Sequence, residues 1–189
     1  MKLQEGLPTS VMVGRRWYKL DLDFRNVLRM MDVLRDEGLT PEAQEYLAAR
    51  CVTKHPGRGV LDAVKTLLFG QETQEQTHKR VTSFEQDAGL IRAAFWQAYG
   101  IDLYTARLHW LQFMELLHGL PEDTQYMNIV SIRARPMPPP TKYNREEREW
   151  LRKAKAHHAI RITDKEAESD YNRNVADVFH GLMGMIPKG

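Results

Sequence analysis

A mainly α-helical fold, a helical domain with a small N-terminal β-hairpin and a helical C-terminal extension, is what this chain of 189 residues predicts. Three observations predict it. Apolar residues recur at spacings of three and four through most of the chain. Helix-start and helix-stop residues bracket those stripes. Only one stretch, near the N-terminus, pairs β-favouring runs across a glycine turn.

That stretch comes first: Val11-Met12-Val13 and Trp17-Tyr18-Lys19-Leu20 flank Gly14-Arg15-Arg16. A lone hairpin is marginal in water, so it must lie against something helical. Phe24, Val27, Leu28, Met31 and Leu34 then form an amphipathic stripe that Gly38 ends. Thr40-Pro41-Glu42 reads as an N-cap, a first-turn proline and a first-turn acid, opening a helix that stops before His55-Pro56-Gly57. A third helix carries Val60, Leu61, Val64, Leu67 and Leu68 on one face, with Gly70 after it. Residues 71–82 are nearly devoid of apolar side chains and read as a solvated linker.

Ser83 and Gln86 then predict a capping box for a helix that buries Phe84, Ala88, Ile91, Phe95 and Ala98 and ends at Gly100. Leu103, Ala106, Trp110, Phe113, Met114 and Leu117 stripe the next helix, closed by Gly119. Pro121-Glu122-Asp123 opens another, with Tyr126, Ile129 and Val130 inward. Four prolines between Pro136 and Pro140 exclude helix and predict a stiff extended spacer. The organisation read from this is a hairpin plus helical core over 1–134, a spacer at 135–142 and a basic, amphipathic helical extension over 143–189. In the extension, Tyr143, Trp150, Leu151, Ala154 and His158 are expected on one side, and Arg145, Arg148, Arg152 and Lys155 on the other.

Composition narrows function mainly by exclusion. Twenty-seven basic against 25 acidic residues leave +2, too small a surplus for a general nucleic-acid ligand, and nucleic acid is not the expected partner. The basic stripe of the extension is diluted by Glu146, Glu147 and Glu149, which can pair with it along the helix. The single cysteine, Cys51, cannot form an intrachain disulfide and reads as a structural thiol. No apolar run reaches the length of a membrane span, and the first residues lack a signal-peptide core. The expected place is therefore the cytoplasm, with no membrane partner.

Chemistry-bearing patterns are missing. The seven histidines fall in no metal-ligand spacing. Gly57-Arg58-Gly59 does not match a phosphate loop, and there is no nucleophile elbow. We expect no catalytic residue, no metal and no cofactor, hence not an enzyme. The partner-binding candidates are Val178, Phe179, Leu182, Met183, Met185 and Ile186, an apolar, Met-containing tail that must pack on its own domain, a sister subunit or a partner.

One block goes further. Ser83-Phe84-Glu85, Asp87-Ala88, Leu90-Ile91, Ala93-Ala94-Phe95, Gln97 and Tyr99-Gly100-Ile101-Asp102-Leu103 resemble the core motif of the bacteriophage gene-product-fifteen family. Leu108-His109-Trp110, Phe113, Leu116, Gly119-Leu120 and Glu122-Asp123-Thr124 follow in matching order. The hairpin leading into Asp23-Phe24-Arg25 is similar to that family's opening, so the resemblance covers roughly residues 7 to 160. It implies a small helical protein of tailed phages and prophages of Gram-positive hosts, encoded in the tail cluster near the tape-measure gene. The implied role is a tail assembly chaperone in viral morphogenesis. It would bind the tape-measure protein, and possibly the tail-tube protein, in the host bacterial cytoplasm, self-associate, and be absent from the mature siphovirus particle. The alternative is a structural tail-completion or connector component of the virion.

Overall fold

The computed structural model describes residues 6–70 and 81–161, and in them seven helices and one two-stranded hairpin bear out the mainly α-helical expectation. These residues fall into two units, one within Met1–Gln74 and Arg107–Leu116, the other within Glu75–Ala106 and Leu117–Gly189.

In the first unit, β1 (Ser10–Val13) pairs antiparallel with β2 (Arg16–Lys19), Val13 facing Arg16 across a two-residue turn. Gly14 stands at φ +62°, a left-handed backbone that a side chain would strain. The helical support expected for the hairpin is α3 (Val60–Phe69), which packs against β1. Helix α1 (Phe24–Arg35) starts where the Asp23 carboxylate accepts from the Arg25 N–H. It buries Phe24, Val27, Met30 and Met31. Helix α2 (Pro41–Val52) has the predicted Thr40 cap, whose hydroxyl accepts from Ala43 N–H at 3.3 Å, and packs on α1.

The helix expected from Leu103 onward is a correction. Helix α5 (Trp110–His118) begins only at Trp110, because the residues before it are committed elsewhere. Phe24 N–H donates to Leu108 C=O at 2.9 Å, and Trp110 N–H donates to Leu22 C=O at 2.7 Å, holding Asp23 and His109 as an antiparallel bridge. An extended backbone bonded to a distant segment cannot also make helical i to i−4 bonds. The same bridge delivers Phe113 onto Phe24, with ring centroids 4.7 Å apart and planes 9° from parallel, and sets Trp110 beside Phe113. Phe69 of α3 meets Trp110 edge-on at 6.1 Å, which closes this core.

In the second unit, α4 (Ala88–Tyr99) packs on α6 (Gln125–Ala134), and α6 on α7 (Arg145–His157). The Ser83 capping box is redirected. Gln86 N–H does donate to Ser83 Oγ, at 3.3 Å, but the Gln86 side chain reaches residue 161 instead of returning to Ser83. The Ser83 N–H is taken by the carboxylate of Asp87, at 2.9 Å, and the helix starts after Asp87. Helix α6 begins at Thr124 rather than Pro121, the Thr124 hydroxyl accepting from Met127 N–H, and buries Tyr126, Ile129 and Val130 as expected.

The prolines at 136–140 are outside any helix. The inward face of α7 differs from the expected one. Leu151 is fully buried, but Trp150 is 55% exposed and Tyr143 91%. Arg148 and Lys155, assigned to the outer side, turn inward: Arg148 donates to Pro138 C=O and Lys155 Nζ to Arg133 C=O at 2.7 Å. Their long stems let the charged ends reach these carbonyls while covering apolar surface.

Candidate functional site

The tail residues Val178, Phe179, Leu182, Met183, Met185 and Ile186 lie outside the described residues, as does most of the predicted 71–82 linker. The feature that the described residues do offer is an open groove of about 930 Å³ in the first unit, beside β2. One wall is the strand and its continuation, Arg16 to Asp21. The other is the end of α2 and the turn beyond, Arg50 to His55, with Arg107 at one end.

Strand alternation sets what the groove sees. Leu20 N–H donates to Thr9 C=O on the β1 side, so Leu20 and Tyr18 point their backbone groups at β1, and Trp17, Lys19 and Asp21 point theirs away. Two contacts agree with that assignment: Asp21 N–H donates to Val52 C=O at 2.8 Å, and Thr53 Oγ1 donates to Lys19 C=O at 2.9 Å. Those bonds moor the end of α2 to the strand. They leave Trp17 N–H, Trp17 C=O and Lys19 N–H on the open edge, with no bond to another described residue.

Electrostatically the groove is lopsided. Arg16, Lys19, Arg50, Lys54 and Arg107 line it against the single carboxylate of Asp21. Arg107 sits 3.9 Å from both Asp21 and Asp23, a loose, exposed arrangement. Among the described residues none of Arg16, Lys19, Arg50 and Lys54 forms an ion pair. Trp17 is 66% exposed, and the Arg16 guanidinium lies 5.4 Å from the Tyr18 ring centre. Tyr18 in turn rests against Gly57, where any side chain would collide with its hydroxyl.

Cys51 lines the same groove half-buried, its thiol directed at Leu47 C=O. Burial pushes that thiol above its ordinary range, Arg29 opposing and Asp32 reinforcing. A thiol held protonated is a poor nucleophile. Among the described residues no group of three His, Cys, Asp or Glu side chains could hold a metal ion, and no helix is long and apolar enough to cross a membrane.

Two residues of the basic stripe expected on α7, Arg148 and Lys155, are engaged within their own unit. Besides Arg148 and Lys155, whose partners are backbone carbonyls, Lys153 binds Glu149 at 3.1 Å and holds that carboxyl below its usual range. His157 and His158 meet edge-on at 4.7 Å, and burial lowers the affinity of His158 for a proton, helped by its neighbour and by Arg133.

Sequence reasoning passed over the groove, although its signal was legible. Arg15-Arg16-Trp17-Tyr18-Lys19 interleaves cations with aromatics, a pattern of recognition surfaces. What no local pattern shows is that Arg50, Lys54 and Arg107 converge on it.

No curated protein and no solved structure matches the chain. A family model does, the one described as Bacteriophage Gp15 protein, over residues 3–160. That span runs from ahead of the hairpin past the end of α7 and takes in most of the sequence, so the chain belongs to the bacteriophage Gp15 family.

Proposed function

We propose that this phage protein is a tail assembly chaperone, which binds the tape-measure protein while tail-tube subunits assemble, performs no catalysis, and leaves before the particle is complete. The observation that carries the reading is the family match over residues 3–160, together with the place of that family in tail gene clusters beside the tape-measure gene. The physical argument is that a tape-measure chain has long helical, apolar stretches, which a helical protein in several copies can keep from aggregating. The apolar tail from Val178 to Ile186 is the proposed contact, with the host cytoplasm as the place of action and self-association as the means of coating a long partner.

Co-expression with the neighbouring tape-measure protein tests this, followed by pull-down and size-exclusion chromatography with light scattering. A soluble multi-copy complex that forms only when both are present is the expected result. The absence of any complex, with this protein found at fixed stoichiometry in purified virions, replaces the chaperone by a permanent tail-completion or connector component. Deleting residues 178–189 then addresses the contact: tape-measure binding that survives the deletion rejects the tail as its site.

A further inference from the structure

The groove beside β2 lies apart from the proposed tail contact, and its chemistry points to an occupant of its own. We infer that it binds an extended acidic polypeptide segment by strand addition to the edge of β2. Two independent features meet there.

The first is the row of outward backbone groups. Trp17 N–H and C=O together form the donor-acceptor pair that an added strand exchanges with one of its residues, and Lys19 N–H supplies a further donor two residues on. The cations distinguish this edge from that of β1, since Arg16, Lys19, Arg50 and Lys54 line the groove beside β2. On the open side Thr53, itself extended at φ −146° and ψ 147°, occupies the edge only as far as Lys19. The unpaired edge thus begins where the chain's own pairing stops.

The second is charge. Arg16, Lys19, Arg50 and Lys54 surround that edge without forming an ion pair among the described residues. Side chains alternate along a strand, so Arg16 stands on one face of β2 and Lys19 on the other, and a segment with a carboxylate at every second position sets its row of acids along one of these faces. Trp17, largely exposed, provides an aromatic surface on the face that it shares with Lys19.

A nucleic-acid strand would satisfy the cations but not the Trp17 and Lys19 backbone groups in register. The combination therefore favours a polypeptide over a phosphate backbone.

The test uses the full chain and an acetylated, amidated peptide of alternating Glu and Thr, with binding read by Trp fluorescence against a Trp17→Phe control. Three comparisons accompany it: the same peptide N-methylated at every amide, so that neither of its edges can donate, a dT oligonucleotide of matching length, and the Arg16→Glu/Lys54→Glu variant. Both substituted side chains are exposed, so the variant keeps its circular dichroism and unfolding midpoint. The expected result is salt-dependent peptide binding weakened about tenfold or more by the double charge reversal and lost on N-methylation, with the oligonucleotide weaker. Equal binding of the N-methylated peptide overturns strand addition. Tighter binding of the oligonucleotide, binding unaltered in the variant, or no peptide binding at low salt overturns the acidic-peptide assignment. Because no tape-measure protein is present, each outcome is independent of the chaperone reading.

Discussion

Arg133 and Asp87 meet through two parallel hydrogen bonds, Nη1 to Oδ2 at 2.7 Å and Nη2 to Oδ1 at 2.9 Å, with side chains only 10% and 2% exposed. The pair is a node rather than an isolated bridge. Arg133 also donates to Val81 C=O and His158 C=O, and Asp87 accepts from Ser83 N–H. One guanidinium at the end of α6 thereby ties down the turn before α4 and the end of α7.

Arg133→Ala leaves the Asp87 carboxylate buried without its cation, so unfolding free energy should fall by about 3–5 kcal/mol. Arg133→Met/Asp87→Leu removes the stranded charge but not the orphaned Val81 and His158 carbonyls, and should recover only part of that loss. Urea unfolding of both variants checks this. A single-variant loss below about 1 kcal/mol contradicts the assigned node.

Phe113 is 2% exposed and stacks on Phe24 in the first unit. Phe113→Ala opens a cavity between α1 and α5 and should cost about 3–5 kcal/mol. Trp150, larger but 55% exposed, serves as the contrast: Trp150→Ala should stay within about 1 kcal/mol of the parent. Equal losses in calorimetry would mean that the exposed indole is covered in solution.

The Tyr126 hydroxyl, deep in the second unit, shares a 2.8 Å hydrogen bond with Thr82 Oγ1. Burial pushes its ionisation far above the ordinary value of 10.0, outweighing the opposite effect of that bond. The folded phenol therefore keeps its proton while the unfolded one loses it, and stability contributed by this group declines as pH rises past about 10. Tyr126→Phe should cost about 1 kcal/mol at neutral pH yet lose stability less steeply in alkali than the parent. Denaturant midpoints at neutral and alkaline pH provide the measurement, and parallel pH dependences would refute it.

Periodicity made the helix interiors legible, since Phe24, Val27 and Met31 and the trio Tyr126, Ile129 and Val130 are buried as their spacing predicts, although Met30 takes the buried place expected of Leu28. Local caps were legible where the partner is three residues away, as at Thr40. Reading failed where a distant partner decides. Leu103 to Leu108 carry a helical stripe, but Leu22 and Phe24, some 85 residues earlier, take the backbone bonds at Leu108 and Trp110. Gln86 was drawn from its capping role by the backbone at Arg161. On α7 the apolar ranking of Trp150 over Lys155 was reversed because the Lys155 ammonium finds the Arg133 carbonyl, a partner 22 residues away in the chain. The groove followed the same rule: its strand side was readable in Arg16-Trp17-Tyr18-Lys19, whereas the facing residues were not, because loop and helix end converge only in three dimensions.

The bridge between Asp23 and His109 also has a meaning in time. During synthesis the hairpin and the first three helices leave the ribosome before the segment that completes their core, because Trp110 and Phe113 arrive only after the intervening part of the second unit. Until then Phe24 lacks its stacking partner, and the backbone groups of Leu22 and Phe24 remain hydrated. The earliest-made unit is thus the one that must wait, and a nascent chain arrested before residue 107 should present its apolar α1 face to whatever is near.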